Sequence, residues 1–111
     1  MSAGTYNFTI EQGTTFSRVL TLQENGSAMN LTGYSVASQM RSTHDSSTVV
    51  ATFSGSVTNA SSGQITLSLT NSQTSAIEEA IYVYDVEITS GAGAVTRILE
   101  GTITVTPEVT R

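Results

Sequence analysis

The sequence predicts an all-β fold, an antiparallel β-sandwich of immunoglobulin-like size with seven or eight strands, and three observations carry that prediction. Apolar residues recur almost everywhere with a period of two, the spacing at which alternate side chains of a strand share one face. Turn-forming clusters interrupt the alternation at roughly ten-residue intervals. A chain of 111 residues is the size of one domain, residues 1–111, and buries a single core without disulfide or metal support.

The first strand is expected over residues 6–10, where Tyr6, Phe8 and Ile10 alternate with Asn7 and Thr9 before Gln12-Gly13 stops the run. Residues 15–22 follow, with Phe16, Leu20 and Leu22 at one parity, and Glu24-Asn25-Gly26-Ser27 supplies the Asn-Gly signal that closes a hairpin. Tyr34, Val36 and Met40 mark a third strand, ending near Arg41. After the polar segment 42–48, residues 49–53 and a weak stretch around Val57 give a fourth and a fifth. The clearest alternation comes next, with Ile65, Leu67 and Leu69 on a dry face and Gln64, Thr66, Ser68 and Thr70 on a wet one. Residues 71–77 break the period and suit one helical turn capped by Thr70 or Asn71, whose side chain accepts from the first free amides. Residues 80–89 point Tyr82, Tyr84, Val86 and Ile88 inward and Asp85 and Glu87 outward. The last strand, 95–106, ends at Pro107, which lacks the donor a continued ladder needs.

The final hairpin has two possible registers. With an even loop, Arg97 points at the core; with the five-residue loop 90–94, Thr89 opposes Val95, Glu87 opposes Arg97 on the solvent side, and Ile98 lies inside. A bulge at Glu100-Gly101 then returns Ile103 and Val105 to the core. The second register is the expected one, because an unpaired buried charge costs several kcal/mol whereas a bulge costs little.

Composition narrows the function classes. Four arginines and no lysine stand against nine carboxylates, for a net charge of −5, so no cationic footprint for a phosphate backbone exists and DNA and RNA are not expected as partners. No apolar run reaches the ~20 residues of a bilayer span, and residues 1–5 lack a signal peptide's basic and apolar regions, so a soluble protein that need not be exported is expected. Cysteine is absent and only 12% of residues are charged, which leaves serine and threonine hydroxyls as most of the polar surface.

Motifs that carry chemistry elsewhere are weak here. His44-Asp45-Ser46 holds the residue types of a hydrolytic triad, but triad members converge from separate elements, and adjacency marks a solvated loop. Asp85 and Glu87, two apart on one strand face, lack the further ligands of a calcium site or the cleft of a glycosidase. Glu78-Glu79 is a charged loop. Gly91-Ala92-Gly93 precedes a strand and not the helix N-terminus of a phosphate cradle, so it is a hairpin tip. Asn7, Asn25, Asn30 and Asn59 begin matches to the glycosylation pattern, discounted in a chain so rich in hydroxyls. No catalytic, cofactor or metal site is expected, and the protein is not expected to be an enzyme. Arg18, at the parity of Phe16 and Leu20, reads either as a snorkelling rim residue or as a cation placed to meet a partner's carboxylate. The first strand is expected at a sheet edge, where free backbone groups template strand addition by another chain.

Several blocks taken together carry a family resemblance: residues 6–16 (YNFTIEQGTTF), 30–34 (NLTGY), 39–41 (QMR), 82–87 (YVYDVE) and 95–111 (VTRILEGTITVTPEVTR). The chain resembles a small virion structural protein of tailed bacteriophages, and the N-terminal attachment domain of phage baseplate upper proteins. The likeness spans nearly the whole chain and rests on strand and turn patterns. It implies a β-sandwich that holds fibres or other peripheral proteins on the tail, without a reaction of its own. It further implies assembly in the bacterial host cytoplasm, many copies in a symmetric particle, and other virion proteins as partners. The chain ends where such an attachment domain hands over to a fibre, so the resemblance leads one to expect any receptor-binding part on another polypeptide. A capsid decoration protein is the alternative, and a carbohydrate-binding module with Tyr82 and Tyr84 as platform a more distant one, opposed by their inward parity. The interface is expected to use Tyr6, Phe8 and Ile10 on the edge strand with Arg18, Arg41, Arg97 and Arg111, since arginine's planar fork pairs two ways with a carboxylate.

Overall fold

The computed structural model describes residues 4–24, 26–43 and 45–107. The strands are β1 (Gly4–Thr5), β2 (Phe8–Glu11), β3 (Phe16–Thr21), β4 (Gln23–Glu24), β5 (Ser27–Ala28), β6 (Ser35–Arg41), β7 (Ala51–Asn59), β8 (Gln64–Leu69), β9 (Ala80–Thr89) and β10 (Val95–Thr106), with one short helix, α1 (Asn71–Ser75), before β9. The fold is all-β. Among the described residues eight strands form one sheet in the order β1-β10-β9-β6-β7-β8-β3, with β2 also on β10, while β4 and β5 pair as a separate small hairpin.

Two expectations about the strands need correction. The sheet is mixed and not purely antiparallel, because β1 and β2 both run parallel to β10. Hairpins impose antiparallel pairing; β2 reaches β10 only after the whole chain has gone round, so no short turn sets its direction. The second correction merges residues 49–53 and the stretch at Val57 into the single strand β7. Phe53, Gly55 and Val57 keep one parity, and the glycine makes the alternation look broken. A Cβ at Gly55 would lie 2.9 Å from Val36 Cγ1, so the position admits no side chain. Residues 51–53 of β7 pair with β6 and residues 54–59 pair with β8. One strand thereby serves both halves of the sheet, which curls around its core.

The core follows the predicted parity. Ile10, Met40, Ile65, Leu67, Val86 and Ile103 are fully buried, joined by Phe8, Phe16, Phe53 and Tyr84 as an aromatic cluster. Ring centroids of Phe8 and Phe16 are 5.4 Å apart and nearly parallel, which ties β2 to β3 across the gap where the curl does not close by hydrogen bonding. Helix α1 has the expected cap: Thr70 Oγ1 accepts from Gln73 N, and Gln73 Oε1 accepts from Thr70 N, a reciprocal capping box. Thr74 of this turn is fully buried and donates to Thr14 O at 2.7 Å, while Gln12 Nε2 donates to Ile77 O at 2.8 Å. These bonds fix the 12–15 loop that carries the chain from β2 to β3.

The predicted hairpin register holds. Thr89 opposes Val95 and Glu87 opposes Arg97, with Ile98 buried. The bulge lies between Arg97 and Leu99 instead of at Glu100-Gly101. Two consecutive apolar residues, Ile98 and Leu99, can both turn toward the core only if the extra residue sits there. Gly101 answers a different demand. Between β1 and β2 the chain crosses directly over it, with Tyr6 N donating to Glu100 O at 3.0 Å and Thr102 N donating to Asn7 Oδ1 at 2.9 Å. A Cβ at Gly101 would stand 2.2 Å from Tyr6 O.

Candidate interaction surfaces

Alternation on β9 sends Tyr82, Tyr84, Val86 and Ile88 inward, so Asp85 and Glu87 emerge on the outer face. There β6 and β10 flank them: Gln39 and Glu100 are register partners of Asp85, and Ala37 and Arg97 of Glu87. Twist makes this face a groove of about 560 Å³, lined by Arg41, Thr52, Asp85, Glu87, Arg97 and Glu100 among others. Arg97 Nε lies 3.2 Å from Asp85 Oδ2, and its Nη1 lies 3.8 Å from Glu100 Oε2. All three side chains are well hydrated, so this triad positions charge more than it stabilises the fold. Arg41 is occupied locally. It donates from Nη1 to Ser46 O at 2.7 Å and from Nη2 to Gln39 Oε1 at 3.0 Å, pinning the loop after β6. Among the described residues no three His, Asp or Glu side chains converge as a metal ion requires.

A second groove, of about 480 Å³, runs along the gap between β2 and β3 and is lined by Asn7, Phe8, Glu11, Thr14, Phe16 and Arg18 with their neighbours. Arg18 is half-buried there. Its guanidinium lies 5.5 Å from the Phe8 ring centroid and 5.8 Å from that of Phe16, and Nη1 donates to Tyr6 Oη at 2.6 Å. Tyr84 Oη in turn donates to Tyr6 O at 2.5 Å. Burial, and then the neighbouring Tyr6, push the Tyr84 phenol well above its ordinary value, with Arg18 opposing. Burial, and then Glu78, raise Tyr82 as well, whose hydroxyl donates to Glu78 O at 2.7 Å.

The residues expected at an interface divide accordingly. Arg18 lines the gap groove and hydrogen-bonds Tyr6 beside it, and Arg41 and Arg97 line the outer one. Ile10 lies wholly in the core and Phe8 keeps only a small exposed part on the gap groove, so β2 offers a partner its backbone and little of those side chains. Arg111 lies outside the described residues, as does His44 of the His-Asp-Ser run. Ser46 of that run hydrogen-bonds within its own loop, accepting from Thr48 N. Tyr82 and Tyr84 are buried and present no platform to a sugar. The asparagines of the glycosylation pattern work as turn and edge acceptors: Asn7 for Thr102 N, Asn30 for Thr32 N, Asn59 for Ser62 N, while Asn25 lies outside the described residues. Gly91-Ala92-Gly93 is the hairpin tip, closed by Ser90 N on Ala94 O and Gly93 N on Ser90 O. Sequence reasoning missed the Tyr6–Arg18 pairing. Only their shared parity with the core aromatics hinted at it.

No family model matches the chain, and no curated protein does. Among solved structures, an internalin-like protein of Listeria monocytogenes is similar to it, at 16% identity and a TM-score of 0.49 over 94% of this chain. The chain spans 28% of the length of that protein.

Proposed function

We propose that this chain is a structural subunit of a tailed-bacteriophage virion, a tail or baseplate adaptor that attaches fibres or other peripheral proteins. In this reading it is an immunoglobulin-like β-sandwich, with β2-β10-β9-β6 as one layer, β3-β8 as the other, and β7 passing between them. It is assembled in the host cytoplasm, occupies the virion in many copies, and catalyses no reaction. The observation that carries the reading is where the resembling blocks fall. Of the resembling blocks, residues 6–16, 39–41, 82–87 and 95–106 are distant in sequence, yet they supply β2, the end of β6, the middle of β9 and all of β10, which are neighbours in the sheet, while residues 30–34 form the segment that leads into β6. The same neighbours form the outer groove with its mixed charges, a surface suited to setting the orientation of a partner.

Immunogold labelling of intact particles tests this. Gold at the tail tip is the expected result. Labelling confined to heads makes the chain a capsid decoration protein, and particles free of it overturn the virion reading.

A further inference from the structure

We propose that the gap groove is a strand-acceptor site, in which an extended segment of another polypeptide pairs with the free edge of β3 and sets a carboxylate on Arg18. The proposal rests on the reading of this chain as a subunit gripped by others, and names the chemistry of the grip.

The β3 edge comes first. Among the described residues β3 pairs only with β8, in an unbroken register from Phe16 opposite Leu69 to Thr21 opposite Gln64. Its other side faces the gap, where β2 has gone to β10 instead. Natural edges are blunted by proline, by bulges or by charges, inward-pointing ones included. This one has no proline, bulge or outward charge, and its one charged residue, Arg18, points inward. Its outward residues are Ser17, Val19 and Thr21, uncharged, with Val19 55% exposed. The edge is regular, β-prone and open.

Arg18 supplies the specificity. It is half-buried at the inner parity of β3, and among the described residues no carboxylate lies within ion-pair distance. One donor goes to Tyr6 Oη and the cation rests against two aromatic faces, which orients the fork and leaves its remaining N–H groups without an anionic acceptor. A partly desolvated cation of this kind is completed by a carboxylate from outside. Glu11, which also lines the groove, repels a second acid at the far end and so fixes where along the added strand the carboxylate must stand. Inward residues of the incoming strand otherwise meet Phe8 and Phe16, so alternate apolar side chains are required. A second copy of this chain is the weaker occupant, since two molecules of net charge −5 repel each other.

The test appends to the N-terminus of the full chain, through a glycine-serine linker, a strand of alternating valine and threonine with one central glutamate. A parallel version carries glutamine there. Tethering gives an effective concentration in the millimolar range, so even weak pairing registers. Amide hydrogen exchange in residues 16–21 should slow about tenfold more with the glutamate strand than with the glutamine strand, as a charge-assisted bond implies. Arg18→Met should erase that difference. Because the glutamate-to-glutamine change leaves the domain itself untouched, the comparison stands even if the arginine variant folds poorly. Equal protection by both strands, protection of β2 in place of β3, or β3 already protected in a dimer of the unmodified chain overturns the proposal. Labelling of particles bears on the adaptor reading; this exchange experiment bears on the edge, and each can fail alone.

Discussion

Substituting Gly101 by alanine tests how the edge of the sheet is held. The backbone of Gly101 has no positive φ, so the alanine is conformationally allowed and only space opposes it. The new methyl would stand 2.2 Å from Tyr6 O, 2.7 Å from Asn7 Oδ1 and 2.9 Å from Tyr6 C. None of these atoms retreats freely. Tyr6 O accepts from Tyr84 Oη, Tyr6 N donates to Glu100 O, and Asn7 Oδ1 accepts from Thr102 N. Relieving the overlap therefore lifts the β1–β2 junction off β10 and weakens three hydrogen bonds, each worth about 1 kcal/mol net. Overpacking without that lift would cost about 1–3 kcal/mol instead, and either way a loss of about 3 kcal/mol is expected. In urea, with a slope of about 1.5 kcal/mol per molar for a domain of this size, the midpoint should fall by about 2 M at unchanged slope. Gly91→Ala is the control, because the nearest atom to its Cβ is 3.7 Å away, and it should stay within about 0.5 kcal/mol of the parent. A Gly101→Ala midpoint indistinguishable from that control would refute the reasoning.

Gly55→Ala should cost about 1–3 kcal/mol by overlap with Val36 Cγ1 at 2.9 Å, and Val36→Ala in the same chain should recover part of it, so the double-mutant cycle is non-additive. Tyr84 gives an alkaline prediction. Its folded value is raised, so its contribution is complete below about pH 10 and is lost above, where the unfolded chain ionises first, at a slope approaching 1.4 kcal/mol per pH unit. Tyr84→Phe should lower neutral stability by about 1 kcal/mol and remove that part of the alkaline slope in urea titrations from pH 8 to 12. Arg97→Ala should change stability by less than about 1 kcal/mol, since its ion pairs are solvent-exposed; the proposed virion role further predicts reduced incorporation into particles, as measured by quantitative blotting of purified virions.

Much of the fold was legible because one face of each strand is dry. Ile65, Leu67 and Leu69, and again Tyr82, Tyr84, Val86 and Ile88, take the faces their parity assigns. The cost of burying Arg97 was enough to choose the register of the last hairpin, and the helix cap was narrowed to Thr70 or Asn71, of which Thr70 serves. The remainder depended on contacts between distant segments. Gly101 suits a bulge or a close crossing equally well by type, and only the passage of Tyr6 over it decides. Gly55 hid the continuity of β7, since a position without a side chain shows no parity. The parallel pairing of β2 left no local trace, because no turn connects it to β10. Phe8 and Ile10 carried the pattern of an edge strand without revealing that their side chains fill the core. Arg41 gave no sign that a loop carbonyl at Ser46 would claim it.

An electron cryomicroscopy map of the tailed particle, resolved well enough to trace strands, tests the central claim most directly. The account predicts this chain at the tail periphery, its outer Arg97–Asp85 groove against a neighbouring subunit and a foreign strand along β3 with an acidic side chain on Arg18. A particle that lacks the chain, or that carries it with both surfaces open to solvent in every copy, would contradict the account.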